Sequence, residues 1–275
     1  MSLENKINEI WLNQDNNDYC LKNKDMIISA IREGFATLDS GEHAIAEKVG
    51  ENWNINVWLK QVLVLHIKFQ NDSSKGLNDA ELSFGNITNK FKNWTFEQIM
   101  NQRIGMAPET SVRYGAFINK GVILLPSFIN VGAYIDSGTL IDSYVTIGSC
   151  ARIGRNCHIS AHTVIGGVLE PLQANPVIIE DDCFIGANCS IVEGVIVKQN
   201  SVISSGLHLT ASTKIYNTLT KEISYKVIPE NSVVVAGLIP SDKNDYQTLG
   251  AIIVKQKDAK TASKTAINED VRIKE

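Results

Sequence analysis

Eight isoleucines stand six residues apart in this chain, at Ile123, Ile129, Ile135, Ile141, Ile147, Ile153, Ile159 and Ile165. After a break the column resumes at Ile179 and runs through Ile185, Ile191, Val197, Ile203, Leu209 and Ile215. A second column, two residues earlier, holds compact side chains such as Ala133, Thr139, Ala151, Cys157, Thr163, Cys183 and Cys189. A period of six fits neither an amphipathic helix nor a simple hairpin sheet. It fits a triangular parallel β-helix. Each hexapeptide makes one face, three close a coil, and coils stack about 4.8 Å apart so that each buries the next. The aliphatic residue points into the shaft and the compact one packs near a corner. The residue after the aliphatic is often Gly, Asn or Asp, as at Gly148, Gly154, Asn130, Asp136 and Asp142, and is expected to supply the positive φ of a corner turn.

The break is the segment GGVLEPLQANP, Gly166 to Pro176. Ile165 and Ile179 are fourteen positions apart, one hexapeptide plus eight. Eight residues therefore leave the shaft as a protruding loop over 167–176, and the coil resumes in register. A surface insertion tolerated by the fold is the plain reading. A loop shaped by two prolines on a rigid scaffold favours a functional one.

A net charge of −4 on 275 residues implies no broad positive surface, so nucleic acid is not an expected partner. No uncharged apolar run approaches the roughly 18 residues of a membrane span. The start MSLENKINEIWLNQDNN lacks the basic-then-apolar order of a secretory signal. The five cysteines form no CxxC pair, so a reduced, cytoplasmic protein is expected. Cys157, Cys183 and Cys189 fall in the compact column and read as packing residues.

The six-residue period is missing from residues 1–105, which read as a small, mostly helical domain. Helices are predicted over NKINEIWLN, KDMIISAIREGFATLDSG (ending at Gly41), WLKQVLVLHIKF and the Thr-capped NWTFEQIMNQ. A strand, tight turn and return are predicted over HAIAEKVGENWNINVW. The β-helix follows over 106–230. Residues 231–275 hold two strands, NSVVVAGLIP and LGAIIVKQ, and a polar helix, DAKTASKTAINEDVRI.

Hexapeptide β-helices serve many acyltransferases that draw on coenzyme A or acyl carrier protein, an analogy of fold that does not fix function. More specific are VRYGAFI, NVGAYIDSGTLIDSYVTIGSCARIG, IGGVLEPLQANPVIIEDDCFIGA, VEGVIV and VIVKQKDAKT. Together they resemble the tetrahydrodipicolinate N-succinyltransferases of bacterial lysine synthesis, over nearly the whole chain. The resemblance implies a left-handed parallel β-helix with a mostly helical N-terminal domain and a short α/β C-terminal segment. It implies transfer of a succinyl group from succinyl-coenzyme A, a co-substrate, to tetrahydrodipicolinate, giving N-succinyl-2-amino-6-oxopimelate on the diaminopimelate route. No metal or permanently bound cofactor is implied. Such enzymes are homotrimers with sites between neighbouring β-helices.

That chemistry needs a base, a donor for the thioester oxyanion, cations for the substrate carboxylates and a groove for the pantetheine arm. Asp142, in TLIDSYVT, matches the family's essential aspartate; as a turn residue it would merely cap a corner. Counting coils places Ser160, Gly186 and Ser204 above it, all small, leaving a groove beside the carboxylate. The family's second acidic position is Ser190 here, a departure that brings Glu193 forward as the second candidate. Arg103 resembles a substrate-binding arginine, with Arg113 as an alternative. Lys214 stands where the family tends to have arginine. Gly166 and Gly167 are candidates to offer backbone N–H groups to a ligand. Ser205, Gly206 and Lys255 are candidates for the coenzyme A groove.

Three other readings stay open. One is a hexapeptide acyltransferase with an acetyl donor or a histidine base, for which His158, His162 and His208 are available. Another is a zinc enzyme of the γ-carbonic anhydrase type, which needs three converging histidines. The third is a scaffold without catalysis, which leaves the loop and VEGVIV unexplained.

Overall fold

The computed structural model describes residues 1–69, 87–241, 243 and 245–266. The chain opens with α1 (Leu3–Asn13), α2 (Asn17–Lys22) and α3 (Lys24–Ser40). Ser2 caps α1 by accepting from the Asn5 N–H, and Gly41 ends α3 in the left-handed region, φ 73°. A hairpin, β1 (Ala46–Val49) and β2 (Asn52–Ile55), leads to α4 (Val57–Phe69). This last helix is apolar on most of its surface because it is central: Leu59, Val62, Leu63 and Leu65 are all buried against Ile7, Ile10, Ile31 and Phe35. Val131 and Cys150 of the β-helix belong to the same core, so the helical domain and the shaft pack as one body. The short α5 (Phe96–Asn101) begins with a complete capping box of Thr95 and Gln98.

From β3 (Gly105–Met106) to β19 (His208–Leu209) the chain runs in two-residue strands that stack into three parallel sheets. Face 1 stacks Leu124, Ile141, Ile159, Ile185 and Ile203. Face 2 stacks Val112, Ile129, Ile147, Ile165, Ile191 and Leu209. Face 3 stacks Ile118, Ile135, Ile153, Ile179 and Val197. These shaft residues are almost completely buried, each worth about 1.5–3 kcal/mol of transfer free energy. The fold is the triangular parallel β-helix that the period predicts, with the left hand that the resemblance implies.

Three details differ from the sequence reading. Leu124, not Ile123, takes the shaft position under Ile141. The link from Leu124 to Ile129 is one residue short. Pro126 lies in it, its ring fixing a negative φ, and among the described residues none between Gly121 and Gly132 has positive φ.

Second, the left-handed corner residue is the third after the shaft residue, not the first. It is Gly132, Gly138, Tyr144, Cys150, Asn156 and His162, then Asp182, Asn188, Gly194, Asn200 and Gly206. The residue directly after the shaft does other work. Asn130, Asp136 and Asp142 accept from the next N–H, while a Cβ on Gly148 would lie 2.1 Å from the Gly167 nitrogen in the coil above.

Third, Ile215 leaves the coil. It starts β20 (Ile215–Asn217), and the chain makes a second excursion through β21 (Ile223–Ser224) before β22 (Val227–Ile228) resumes face 3 on Val197. The final strands, β23 (Ser232–Pro240) and β24 (Gln247–Gln256), pair antiparallel; Val233 and Val234 still complete face 1 on Val202 and Ile203. A short helix, α6 (Ala259–Thr265), is capped by Asp258. The remainder of its predicted span lies outside the described residues.

The compact column has a polar task that the sequence reading assigned only to packing. Corner carbonyls lie outside the strand ladders, and the coil below supplies their donors. Thr139 donates to Gly154 at 2.7 Å, Thr163 to Gly186 at 2.9 Å and Ser201 to Pro229 at 2.9 Å. Cys157, Cys183 and Cys189 occupy equivalent places, with thiols 3.1 to 3.2 Å from the carbonyls of Glu180, Lys198 and Ser204. At these six corners a small donor thus satisfies a carbonyl that the strand ladders leave unpaired.

The helical domain seats on face 3 and its edges. Trp53 Nε1 and Lys48 Nζ both reach Glu180, at 3.0 Å each. Arg152 stacks on the Tyr134 ring, 3.7 Å from its centroid. The loop between β13 (Val164–Ile165) and β14 (Ile178–Ile179) leaves at the edge between faces 2 and 3. Leu169 packs on the helical core, and Lys60 Nζ holds the Ala174 carbonyl at 2.7 Å.

Candidate active site

Chain direction fixes which residues share an edge. Residues after a face 1 strand turn the corner into face 2, so Asp142, Ser160, Gly186 and Ser204 form one vertical file. Ser205 and Gly206 lie at the top of the same edge. This places three of the candidates, Asp142, Ser205 and Gly206, along a single edge, where the file of Asp142 is small above it and the file below Gly206 carries Asn188, His162 and Tyr144. Three coil steps at about 4.8 Å set Asp142 and Ser204 about 14 Å apart, a span suited to an extended chain lying against the edge. Gly206 is exposed with φ 77°, and the direction of its missing Cβ is open.

Asp142 is held rather than free. Its Oδ1 accepts from the Ser143 N–H at 2.7 Å. Its Oδ2 faces His158 Nε2 at 3.6 Å, with side-chain exposures of 28% for Asp142 and 21% for His158. His158 projects outward from face 1, one coil above Leu140, and meets Phe184 edge-on at 5.1 Å. Burial lowers the imidazole pKa from its ordinary value, against the opposing pull of Asp142. His158 is the neighbour of Asp142 that sequence reasoning left among rival bases. The signal was available: it lies sixteen residues after Asp142, the offset from a corner to the next coil's outward position.

The other candidates lie elsewhere in this chain. Glu193 is exposed on the edge between faces 2 and 3, and its Oε2 accepts from the Ala211 N–H at 3.0 Å. Gly166 and Gly167 stand on that same edge at the loop stem. The Gly166 N–H is already used by the Ile191 carbonyl at 2.7 Å, so a donor role for that group is not what the fold provides. Ser190, on face 2 between the two edges, pairs with Val164 and His208. Arg103 is exposed at the foot of the shaft, on the edge between faces 3 and 1, its carbonyl accepting from Gly121. Arg113 bonds Asn130 and lies over the Phe128 ring. Lys214 reaches the Pro240 carbonyl at 3.2 Å, and Lys255 pairs with Asp258 at 2.6 Å. Within this chain the two histidines of HISAH have different ring partners: His158 packs on Phe184, whereas His162 stacks on Tyr144 at 5.3 Å.

Stacked hexapeptide coils with the Asp142 carboxylate on one edge define the class, a β-helical protein of the hexapeptide-repeat type. Sequence profiles agree segment by segment. "Hexapeptide repeat of succinyl-transferase" matches residues 176–211, "Bacterial transferase hexapeptide (six repeats)" matches 132–167, and "Tetrahydrodipicolinate N-succinyltransferase N-terminal" matches 2–69. A Wolbachia pipientis 2,3,4,5-tetrahydropyridine-2,6-dicarboxylate N-succinyltransferase is 48% identical over 98% of this chain and 97% of its own length. A Burkholderia multivorans protein of the same name is 49% identical over 88% of each chain. The chain belongs to the tetrahydrodipicolinate N-succinyltransferase family. A solved Campylobacter jejuni chain superposes with a TM-score of 0.46 at 14% identity, covering 82% of this chain and 62% of that one, too loosely to argue from.

Proposed function

We propose that this protein transfers the succinyl group of succinyl-coenzyme A to the nitrogen of tetrahydrodipicolinate, with Asp142 as the working carboxylate. The carrying observation is the 48% identity to a named succinyltransferase spread over 98% of the chain. Water adds to the cyclic imine and opens the ring. The nitrogen attacks the thioester carbonyl, the C–N bond forms as the C–S bond breaks, and coenzyme A leaves as a thiol. Asp142 takes the proton that the nitrogen sheds and returns it to the departing thiolate, so that coenzyme A leaves as the thiol and the carboxylate is restored. Its anchored Oδ1 leaves Oδ2 as the oxygen available to that proton. Ser205 and Gly206 continue the same edge, open at Gly206, and are the wall assigned to the pantetheine arm, with Lys255 as its cation. Arg103 and Lys214 are the cations assigned to substrate carboxylates, and Gly166 and Gly167 shape the loop stem. Glu193 carries no step in this reading, because its carboxylate tethers Ala211. The reading includes a cytoplasmic homotrimer, with succinyl-coenzyme A as co-substrate and no permanently bound cofactor.

The test is thiol release. Protein is mixed with tetrahydrodipicolinate and either succinyl- or acetyl-coenzyme A, and free coenzyme A is followed. Release that needs both the acceptor and the succinyl donor is expected. Equal release with the acetyl donor would move the assignment to an acetyl transferase, and none with either donor would remove it.

A further inference from the structure

The outward file on face 1 reads Leu140, His158, Phe184 and Val202. Three of these are apolar, and Leu140 and Val202 are buried. Packing alone would select another aliphatic or aromatic residue between Leu140 and Phe184. The imidazole placed there leaves Nε2 fully buried with no hydrogen-bond partner, an arrangement that costs free energy unless it is used. The polar atom it faces is Asp142 Oδ2, at 3.6 Å. That is longer than a hydrogen bond, and a movement of under about 1 Å would close it. Contacts of this kind are often long without substrate and tighten in the reacting complex.

We infer that His158 is the positioning residue for Asp142, its Nε2–H closing on Oδ2 to hold the carboxylate square to the groove while the acceptor nitrogen is acylated. The inference rests on the reading that Asp142 is the working carboxylate. Asp142 then has one oxygen held by a backbone N–H within its own corner and the other oriented by a side chain one coil above, which uses one lone pair of Oδ2 and leaves the second to take the proton. Its orientation is set by the rise of the β-helix itself. Burial keeps the imidazole uncharged near neutral pH, so it serves as a directional donor in its Nε2–H tautomer and not as a second cation beside the substrate.

The test is a double-mutant cycle on the full-length protein, with kcat and KM measured for both substrates. His158→Leu matches the apolar file and preserves packing; His158→Gln keeps an N–H donor. The expected result for His158→Leu is a fall in kcat of about 10- to 100-fold, the size a 1 Å misplacement produces. KM for succinyl-coenzyme A should stay within about 3-fold. His158→Gln should recover most of the loss, and His158→Leu should do no further harm in an Asp142→Asn background. Equal kcat for wild type and a folded His158→Leu overturns the inference. So does a loss of the same size in both backgrounds, or a His158→Gln as impaired as His158→Leu while both melt like wild type. Near-normal turnover by Asp142→Asn alone is a different failure: it removes Asp142 as the working carboxylate.

Discussion

Lys60 on α4 donates a 2.7 Å hydrogen bond to the carbonyl of Ala174, 114 positions further along the chain. Lys60 is completely buried, and burial lowers its pKa despite the opposing effect of Cys150. A buried ammonium is poor stabilisation, because its desolvation offsets much of what its partner returns. Its value here is positional, since it ties the protruding loop to the helical domain. Lys60→Met fills the same channel without the donor. The expected outcome is a melting temperature within about 3 °C of wild type with several-fold faster proteolysis inside 168–176. Unchanged proteolysis would show that Leu169 alone anchors the loop.

Asp142→Asn keeps the Oδ1 that accepts from Ser143, so the corner should persist. Turnover should fall by about 100- to 10,000-fold, the range of a lost general base. Glu193→Gln likewise keeps the acceptor for Ala211, and its kcat should remain within about 3-fold of wild type. A fall matching that of Asp142→Asn would make Glu193 a second working acid.

Two glycines separate two kinds of constraint. A Cβ on Gly148 would meet the Gly167 backbone at 2.1 and 2.5 Å, and backbone cannot move aside cheaply. Gly148→Ala should lose about 2–4 kcal/mol of stability and displace the loop stem. At Gly206 space is open and only the φ of 77° resists, so Gly206→Ala should cost about 1 kcal/mol. Denaturant midpoints for the pair decide whether contact or conformation dominates.

The cysteines bear on any thiol-based assay. Cys150, Cys157, Cys183 and Cys189 are buried, and Cys20 is partly exposed. Burial pushes the Cys150 thiol up to about 12 and raises Cys157 well above its usual value. Native protein should therefore titrate about one thiol quickly, and all five only on unfolding. Rapid reaction of two or more would mean that the shaft opens.

His158 also marks stability. Its folded pKa lies below its unfolded one, so the unfolded chain takes up its proton first, and stability is lost as pH falls from about 6.5 towards the folded value. Asp142 is the charged group that faces it. Between about pH 8 and pH 5 the melting temperature of His158→Gln should fall less than that of wild type. Parallel curves would mean that the imidazole titrates normally.

The sequence states the coil plainly because a shaft residue recurs every six positions and a buried file tolerates only aliphatics. It is silent where the period and the shaft part company. Ile123 and Leu124 are equally apolar, so only Pro126 hints that the link is short. Ile215 stays buried after leaving the shaft, because β24 covers it, and composition cannot tell the two fates apart. Asp142 and the small residues above it follow from counting eighteen residues per coil. The contact with His158 does not, because a period of six draws attention to columns within one file, whereas a corner and an outward position belong to neighbouring files.

The register across the loop has an evolutionary reading. Arg152 and Ile153 pair directly with Ile178 and Ile179, as though the intervening excursion did not exist. Lengthening such a segment adds only about 0.6 kcal/mol for each doubling. Inheritance and redesign are therefore constrained at its hinge points, Gly148, Gly167 and Lys60, while its tip is a cassette whose contents can be rewritten without shifting a single rung of the shaft.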